Sequence, residues 1–241
     1  MKVKTEITQP VKRLTISAGD LTSCPRGVYY KKKKIQEPLV HPKIAEIWQL
    51  FGMLAEKGKQ IQQKVIQEWQ SQGLLISPER FIPWNDVVSG KYDAIVRVGG
   101  EMILYEIKGG GKAVFDNKLE KPEAYDEHRL QVILYHYFLK RNFPGLKSRV
   151  LYIERSGERR LEIPVEYEEQ EITDLIQKAN ALKESIEKEV LPDPVKTISW
   201  NKFQGKYDVG IAAITCRHHS LCLQDEYWYS KAMEEVNKKS S

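Results

Sequence analysis

Two short apolar runs joined by a glycine link constrain this chain more than any other feature. They are YDAIVRV (92–98) and MILYEIK (102–108), with Gly-Gly-Glu between them. A Gly-Gly link suits a tight antiparallel turn, whose central residues take positive φ, so the spacing predicts a β-hairpin. SRVLYIE (148–154) and RRLEIPV (159–165), separated by RSGE, predict a second. Between the hairpins, AYDEHRLQVILYHYFLKR (124–141) has apolar residues at helical spacing.

The flanks read as helical. Ile44, Ile47, Leu50, Phe51 and Leu54, then Ile61, Val65 and Trp69, predict a helix over 42–72. GLLISPERFIPW (73–84) is broken by Pro78 and Pro83. Residues 168–190 alternate charged and apolar side chains at helical period, and Pro192 and Pro194 end that segment. Near the start, Ser17 and Thr22 are N-cap signals ahead of a basic run. A last helical stretch is expected over 225–238. The order helix, hairpin, helix, hairpin, helix predicts a mixed α/β core with helical additions at both ends.

Composition narrows the setting. At 241 residues the chain can bury a sizeable core, and its 41% hydrophobic content is that of a globular protein. No apolar run approaches the roughly 20 residues of a membrane span, and the first ten residues lack a signal-peptide core. A cytoplasmic protein without membrane contact is expected. A net charge of +5 permits a polyanionic partner without requiring one. Cys24, Cys216 and Cys222 are the three cysteines, and an odd count suits thiols or metal ligands better than a disulfide framework.

Side chains alternate along a strand, so Glu106 and Lys108 share one face while Tyr105 and Ile107 take the other. The hairpin can bring Asp93 of the partner strand close to Glu106. Two carboxylates and a carbonyl suit a hard divalent cation such as Mg²⁺. The neighbouring lysine can act on an attacking water or stabilise negative charge on phosphate. The glycines after Lys108 would let the chain leave the strand without blocking a large substrate. Against this stands the plain alternative of a solvated strand face with a weak ion pair. Gln131 and Tyr135, at i and i+4, share a face of the following helix.

The order Asp93, Glu106-x-Lys108, Gln131-x-x-x-Tyr135 resembles the PD-(D/E)XK nuclease superfamily, in particular its RecB-like exonuclease branch. The match covers SGKYDAIV, LYEIKGG and LQVILYHYFL, about residues 89–140. It implies an α/β fold, a restriction-endonuclease-like mixed sheet core flanked by helices, with helical N-terminal and C-terminal additions. It implies one domain over 1–241, with the core about 85–167, an N-terminal helical part at 14–72, and a C-terminal part at 168–241 that meets it near the cysteines. The activity implied is metal-dependent hydrolysis of DNA, with Asp93, Glu106 and Ile107 as metal ligands, Lys108 acting on water, and Gln131 and Tyr135 lining the substrate side. Substrates would be single strands or ends, in spacer acquisition, recombination or phage and mobile-element processing. Partners in an integration or recombination complex are implied as well. A DNA-binding subunit without cleavage, a structure-specific endonuclease and an RNA nuclease remain as alternatives.

ISAGDLTSCPRGVYYKK resembles the N-terminal segment of the CRISPR-associated iron–sulfur exonucleases, which implies cluster ligation by Cys24, Cys216 and Cys222. The fourth expected cysteine is Ala213 here. Three readings stay open: an iron–sulfur cluster with a different or open fourth position, a zinc site completed by His218 or His219, or a lost cluster with retained cysteines. Where RecB-like nucleases usually carry a metal-binding histidine, EKGKQIQQKV places Gln62, a poorer ligand than imidazole for Mn²⁺. Tyr29 and Tyr30 beside Lys31 and Lys32 form a possible single-strand contact, aromatics stacking on bases and lysines following phosphates.

Overall fold

The computed structural model describes residues 14–36, 42–83, 85–192, 198–201, 206–209 and 221. A short strand β1 (Ile16–Ser17) leads into α1 (Ala18–Leu21) and α2 (Pro25–Lys33). Ser17 caps α1 as its sequence suggests: its Oγ accepts from the Asp20 N–H at 3.1 Å, and Asp20 Oδ2 accepts from the Ser17 N–H at 2.9 Å. Thr22 ends α1 rather than starting a helix. Cys24 takes the N-cap position of α2, because Pro25 lacks an N–H and fits the first helical position.

Asp20 is 3% exposed and carries ion pairs to Lys31 and Lys32, each at 2.9 Å. Burial alone would raise its carboxyl pKa, but Lys32, the Ser17 cap and Lys31 outweigh that and hold it down to about 2. A depressed carboxylate adds stability that is present above its unfolded value and lost as pH falls through its folded one. Asp20→Asn should therefore cost about 2 kcal/mol at pH 7. Urea denaturation should show the deficit shrinking between pH 4 and pH 2.

A long helix, α3 (Pro42–Ser71), follows, then β2 (Leu75–Pro83), β3 (Val88–Val98) and β4 (Glu101–Gly110). Gly99 and Gly100 have φ of 58° and 86°, which makes the expected tight turn between β3 and β4. β2 is the unexpected element. It pairs with β3 from Leu75↔Val96 to Pro83↔Ser89, with a bulge between Leu75 and Ser77. Its prolines are tolerated because it pairs with no other described strand, so a missing N–H can face outward.

The chain continues through α4 (Lys112–Glu120), α5 (Asp126–Leu139), β5 (Lys147–Glu154), β6 (Arg160–Pro164) and α6 (Glu169–Glu187). β5 lies parallel to β4, from Ile103↔Lys147 to Gly110↔Glu154, and the expected second hairpin brings back β6. The result is a six-stranded mixed sheet with helices on both faces. β7 (Ile198–Asn201) and β8 (Lys206–Val209) form a separate two-stranded pair. No described helix is long and apolar enough to cross a membrane.

Alternation along β4 and β5 gives each face its own core. Ile103, Tyr105, Ile107, Leu151 and Ile153 pack against Val65 and Trp69 of α3. Leu104 packs with Tyr135 and Leu139 of α5. Val150 and Tyr152 join Tyr29 and Tyr30 of α2, Val132 and Ile133 of α5, and the buried stripe Ile172, Leu175, Ala179, Leu182 and Ile186 of α6. Glu106 and Lys108 thus lie on the face covered by α5.

The same packing corrects one expectation. Tyr29 and Tyr30 are core rings, 8% and 7% exposed, so neither offers a face on which a base can stack. Of the lysines beside them, Lys31 and Lys32 hold Asp20 and Lys33 holds Glu189. They occupy the last turn of α2, where cations suit the helix dipole.

Candidate active site

The site begins where β3 and β4 separate. Their pairing runs from Val98↔Glu101 to Ala94↔Tyr105 and goes no further, although both strands continue. The next main-chain donor on β4, the Ile107 N–H, goes instead to Asp93 Oδ2 at 2.7 Å. The carboxylate thus stands in for a strand partner, and Asp93 is fixed beside Glu106.

Glu106 is 5% exposed. Its Oε1 meets Lys108 Nζ at 2.8 Å, while its Oε2 is buried without a hydrogen-bond partner. Lys108 Nζ also donates to Gln131 Oε1 at 3.1 Å. Tyr135, one turn further along α5, is 6% exposed. Gly19 of α1 lies behind Gln131, where an added Cβ would stand 3.7 Å from its Nε2.

α3 contributes from the opposite face. Gln62 Nε2 donates to Asp93 Oδ1 at 2.8 Å and to Glu79 Oε2 at 3.2 Å. The arm of Gln62 that meets the carboxylates is therefore a donor, and the oxygen that would ligate a cation is on the other arm of the carboxamide. Glu79 is the residue that the sequence did not suggest. It lies on β2 between Pro78↔Ala94 and Arg80↔Tyr92, which puts it directly across from Asp93. It also pairs with Lys91. The glycines differ from expectation too. A Cβ on Gly109 would stand 3.1 Å from Ile61 Cδ1 and 3.5 Å from Gly58 Cα, so the space is taken by α3 and not left open for a substrate.

The electrostatics follow from this crowding. Burial, then the charge of Glu106, holds Asp93 well above the ordinary carboxylate value, against the Ile107 N–H and Lys108. Burial likewise raises Glu106, although Lys108 pulls it down by charge and hydrogen bond. Burial would lower Lys108, but Glu106, with Asp93 beside it, outweighs that and holds it above the ordinary ammonium value. Burial and the two carboxylates keep the Tyr135 phenol protonated. The arrangement is two carboxylates short of positive charge, with a lysine that stays a cation.

That donor set fits a hard divalent cation. A buried carboxylate oxygen without a donor is costly unless something positive completes it, and Glu106 Oε2 is such an atom. Among the described residues no three His, Cys, Asp or Glu side chains gather as a ready metal-binding cluster. A cation here would therefore depend on Asp93, Glu106 and main-chain oxygen or water.

The structure thus brings Asp93, Glu106, Ile107, Lys108, Gln131, Tyr135 and Gln62 into one place. Tyr30, Lys31 and Lys32 lie on α2 with Cys24, which is half-buried. Cys216, Cys222, Ala213, His218 and His219, and the helix expected over 225–238, lie outside the described residues. Leu221 packs against the α2–α6 core, and its carbonyl accepts from Tyr30 Oη at 3.4 Å.

No protein-family model matches the chain, and no curated protein sequence does. Among solved structures the chain is similar to SSO0001, with 21% identity over 76% of this chain and 87% of that one, at a TM-score of 0.47. It is similar also to an alkaline exonuclease, LHK-Exo, from Laribacter hongkongensis. There the identity is 14% over 73% of this chain and 89% of that one, at a TM-score of 0.45.

Proposed function

We propose that the chain is a metal-dependent deoxyribonuclease, an exonuclease on single strands or DNA ends. The observation that carries the reading is Glu106 Oε2, buried and without a donor, beside Asp93 and a protonated Lys108. Asp93, Glu106 and the Ile107 carbonyl would hold one or two Mg²⁺ or Mn²⁺ ions. Bound there, the cation would polarise the phosphodiester and lower the pKa of the attacking water.

The protein's own residues do the rest. Lys108, held by Glu106 and Gln131, keeps its proton and places positive charge where negative charge develops on phosphate. Gln131 fixes the direction of that ammonium. Tyr135 presents a phenol that stays protonated on the same wall. The assay is degradation of end-labelled single-stranded, duplex and circular DNA in each metal: loss of linear strands with the circle intact is expected, and a cut circle would make the enzyme an endonuclease.

A second reading has an observation of its own. Both oxygens of Asp93 already accept protein donors, from Gln62 and Ile107. A nuclease fold retained as a DNA-binding subunit of an integration or recombination complex would keep that closed arrangement. Gln62→His separates the two. Imidazole is the better ligand for Mn²⁺, so in an enzyme the variant should raise the ratio of Mn²⁺- to Mg²⁺-supported cleavage several-fold. A binding subunit would show no cleavage in either metal.

A structural metal near the cysteines belongs to the same proposal. Its support is that Cys24 opens α2 and that Leu221, the residue before Cys222 in sequence, meets Tyr30 of that helix. Visible charge-transfer absorbance in anaerobically purified protein would mark an iron–sulfur cluster, and bound zinc in colourless protein the alternative.

A further inference from the structure

His128 lies one turn before Gln131 on α5, so the two share a helix face. Its position is set by β5. Tyr152 is the direct partner of Lys108 across the β4–β5 ladder, and its hydroxyl meets His128 Nδ1 at 2.9 Å. Neighbouring parallel strands are about 5 Å apart, so the imidazole stands at the edge of the site beside Lys108. Its ring meets those of Tyr152 and Tyr125, each at 5.7 Å between centroids. Lys118, 5% exposed, covers the Tyr125 ring at 3.5 Å and donates to the Glu123 carbonyl.

The hydrogen bonds fix the tautomer. The Tyr125 main-chain N–H can only donate, and it donates to Tyr152 Oη at 3.0 Å. Tyr152 is 2% exposed, so its own proton needs an acceptor. His128 Nδ1 is the acceptor within reach, so the ring proton resides on Nε2. The imidazole is also held neutral: burial, then the charges of Lys108 and Lys118, lower its pKa to about 3. Nε2 is therefore a fixed N–H donor. The nearest carboxylate oxygen, on the largely exposed Glu127, is 3.6 Å away, beyond hydrogen-bond range.

We infer that His128 is a substrate-positioning residue whose Nε2–H donates to a non-bridging oxygen of a DNA phosphate beside the scissile one. The inference rests on the nuclease reading. A neutral donor locked by Tyr152 suits this task, because it contacts the strand without adding charge to a wall that Lys108 already makes positive. Such a contact sets register and reads no sequence.

The test uses a fluorescent single-stranded oligonucleotide and a series carrying one methylphosphonate at each position in turn. Binding is measured in Ca²⁺ for the wild type and for His128→Phe. The wild type should lose about tenfold in affinity at one position, the size of a hydrogen bond to a charged group. His128→Phe should bind the normal strand and the strand modified at that position alike. Because Phe leaves the Tyr152 hydroxyl proton without its acceptor, a second measurement needs no variant. The His128 Nε2–H resonance of the wild type should shift on adding the normal strand and stay in place with the strand modified at that position. Sensitivity that persists in His128→Phe, or a resonance that no strand moves, overturns the inference alone. A wild type that binds no DNA overturns the nuclease reading and the inference with it.

Discussion

Glu106→Gln is expected to stabilise the metal-free protein and to silence the enzyme. The stabilisation follows from burial. Ionised Glu106 has one oxygen on Lys108 and the other on nothing, with Asp93 and Glu79 adding like charge. Removing that charge should add about 1–2 kcal/mol at neutral pH, as when poorly compensated buried charges are replaced. The pH dependence has a definite sign. Both carboxyls have folded pKa values above their unfolded ones, so the folded state binds more protons than the unfolded chain between those values. Metal-free stability must therefore fall as pH rises from about 4 through the raised values. Glu106→Gln should flatten this slope. Adding Mg²⁺ or Mn²⁺ should raise the melting temperature of the wild type and abolish the slope, since a cation holds both groups ionised, and should do little for the variant. Cleavage should drop by at least about a thousandfold. Melting curves across pH, with and without metal, check the stability effects, and degradation of end-labelled DNA checks the loss of cleavage. A variant less stable than the wild type at neutral pH, or equal responses to metal, would rule out a cation site between Asp93 and Glu106.

The parts of the site that the sequence made legible are those whose geometry is set by period. Alternation placed Glu106 and Lys108 together, helical spacing placed Gln131 and Tyr135 together, and Gly-Gly placed Asp93 across a tight turn. The structure adds the Lys108–Gln131 bond that joins the two periods. What stayed hidden depends on pairing rather than on period. Glu79 sits between two prolines, a pattern that argues against a central strand, but β2 is paired on one side and tolerates them. β1 is only two residues long and gives no period at all. The separation of β3 from β4 after Ala94 is likewise invisible in sequence, because Tyr92 and Asp93 continue an unbroken strand pattern. Tyr30 misled for a different reason. Four lysines after two tyrosines look like a solvated face, but Lys31, Lys32 and Lys33 are held by Asp20 and Glu189, acids far from them in sequence or on another helix, while the rings turn inward.

Lys108→Ala is the second large effect, and it separates chemistry from binding. The ammonium touches Glu106 Oε1 and Gln131 Oε1. Its loss removes the cation that would face a reacting phosphate, and cleavage should fall about a thousandfold or more. It also leaves Glu106, among the described residues, without any partner for either oxygen. Glu106 then has a stronger reason to stay protonated, so its pKa rises further. The stability of the metal-free variant should consequently fall more steeply with rising pH than that of the wild type. The deficit should be a few kcal/mol above neutrality, as for a buried pair broken on one side, and should shrink at low pH, where Glu106 is neutral in both proteins. Affinity for single-stranded DNA in saturating Ca²⁺ should change little, because one lysine contributes only part of the phosphate contact. Kinetics, melting and binding on one pair of proteins therefore give a joint signature: cleavage lost, stability lost in a pH-dependent way, binding kept. Cleavage equal to the wild type would take Lys108 out of the chemistry. No cleavage by either protein in either metal, with equal DNA binding, would favour the subunit reading, in which Gln62 and Ile107 close off Asp93 permanently.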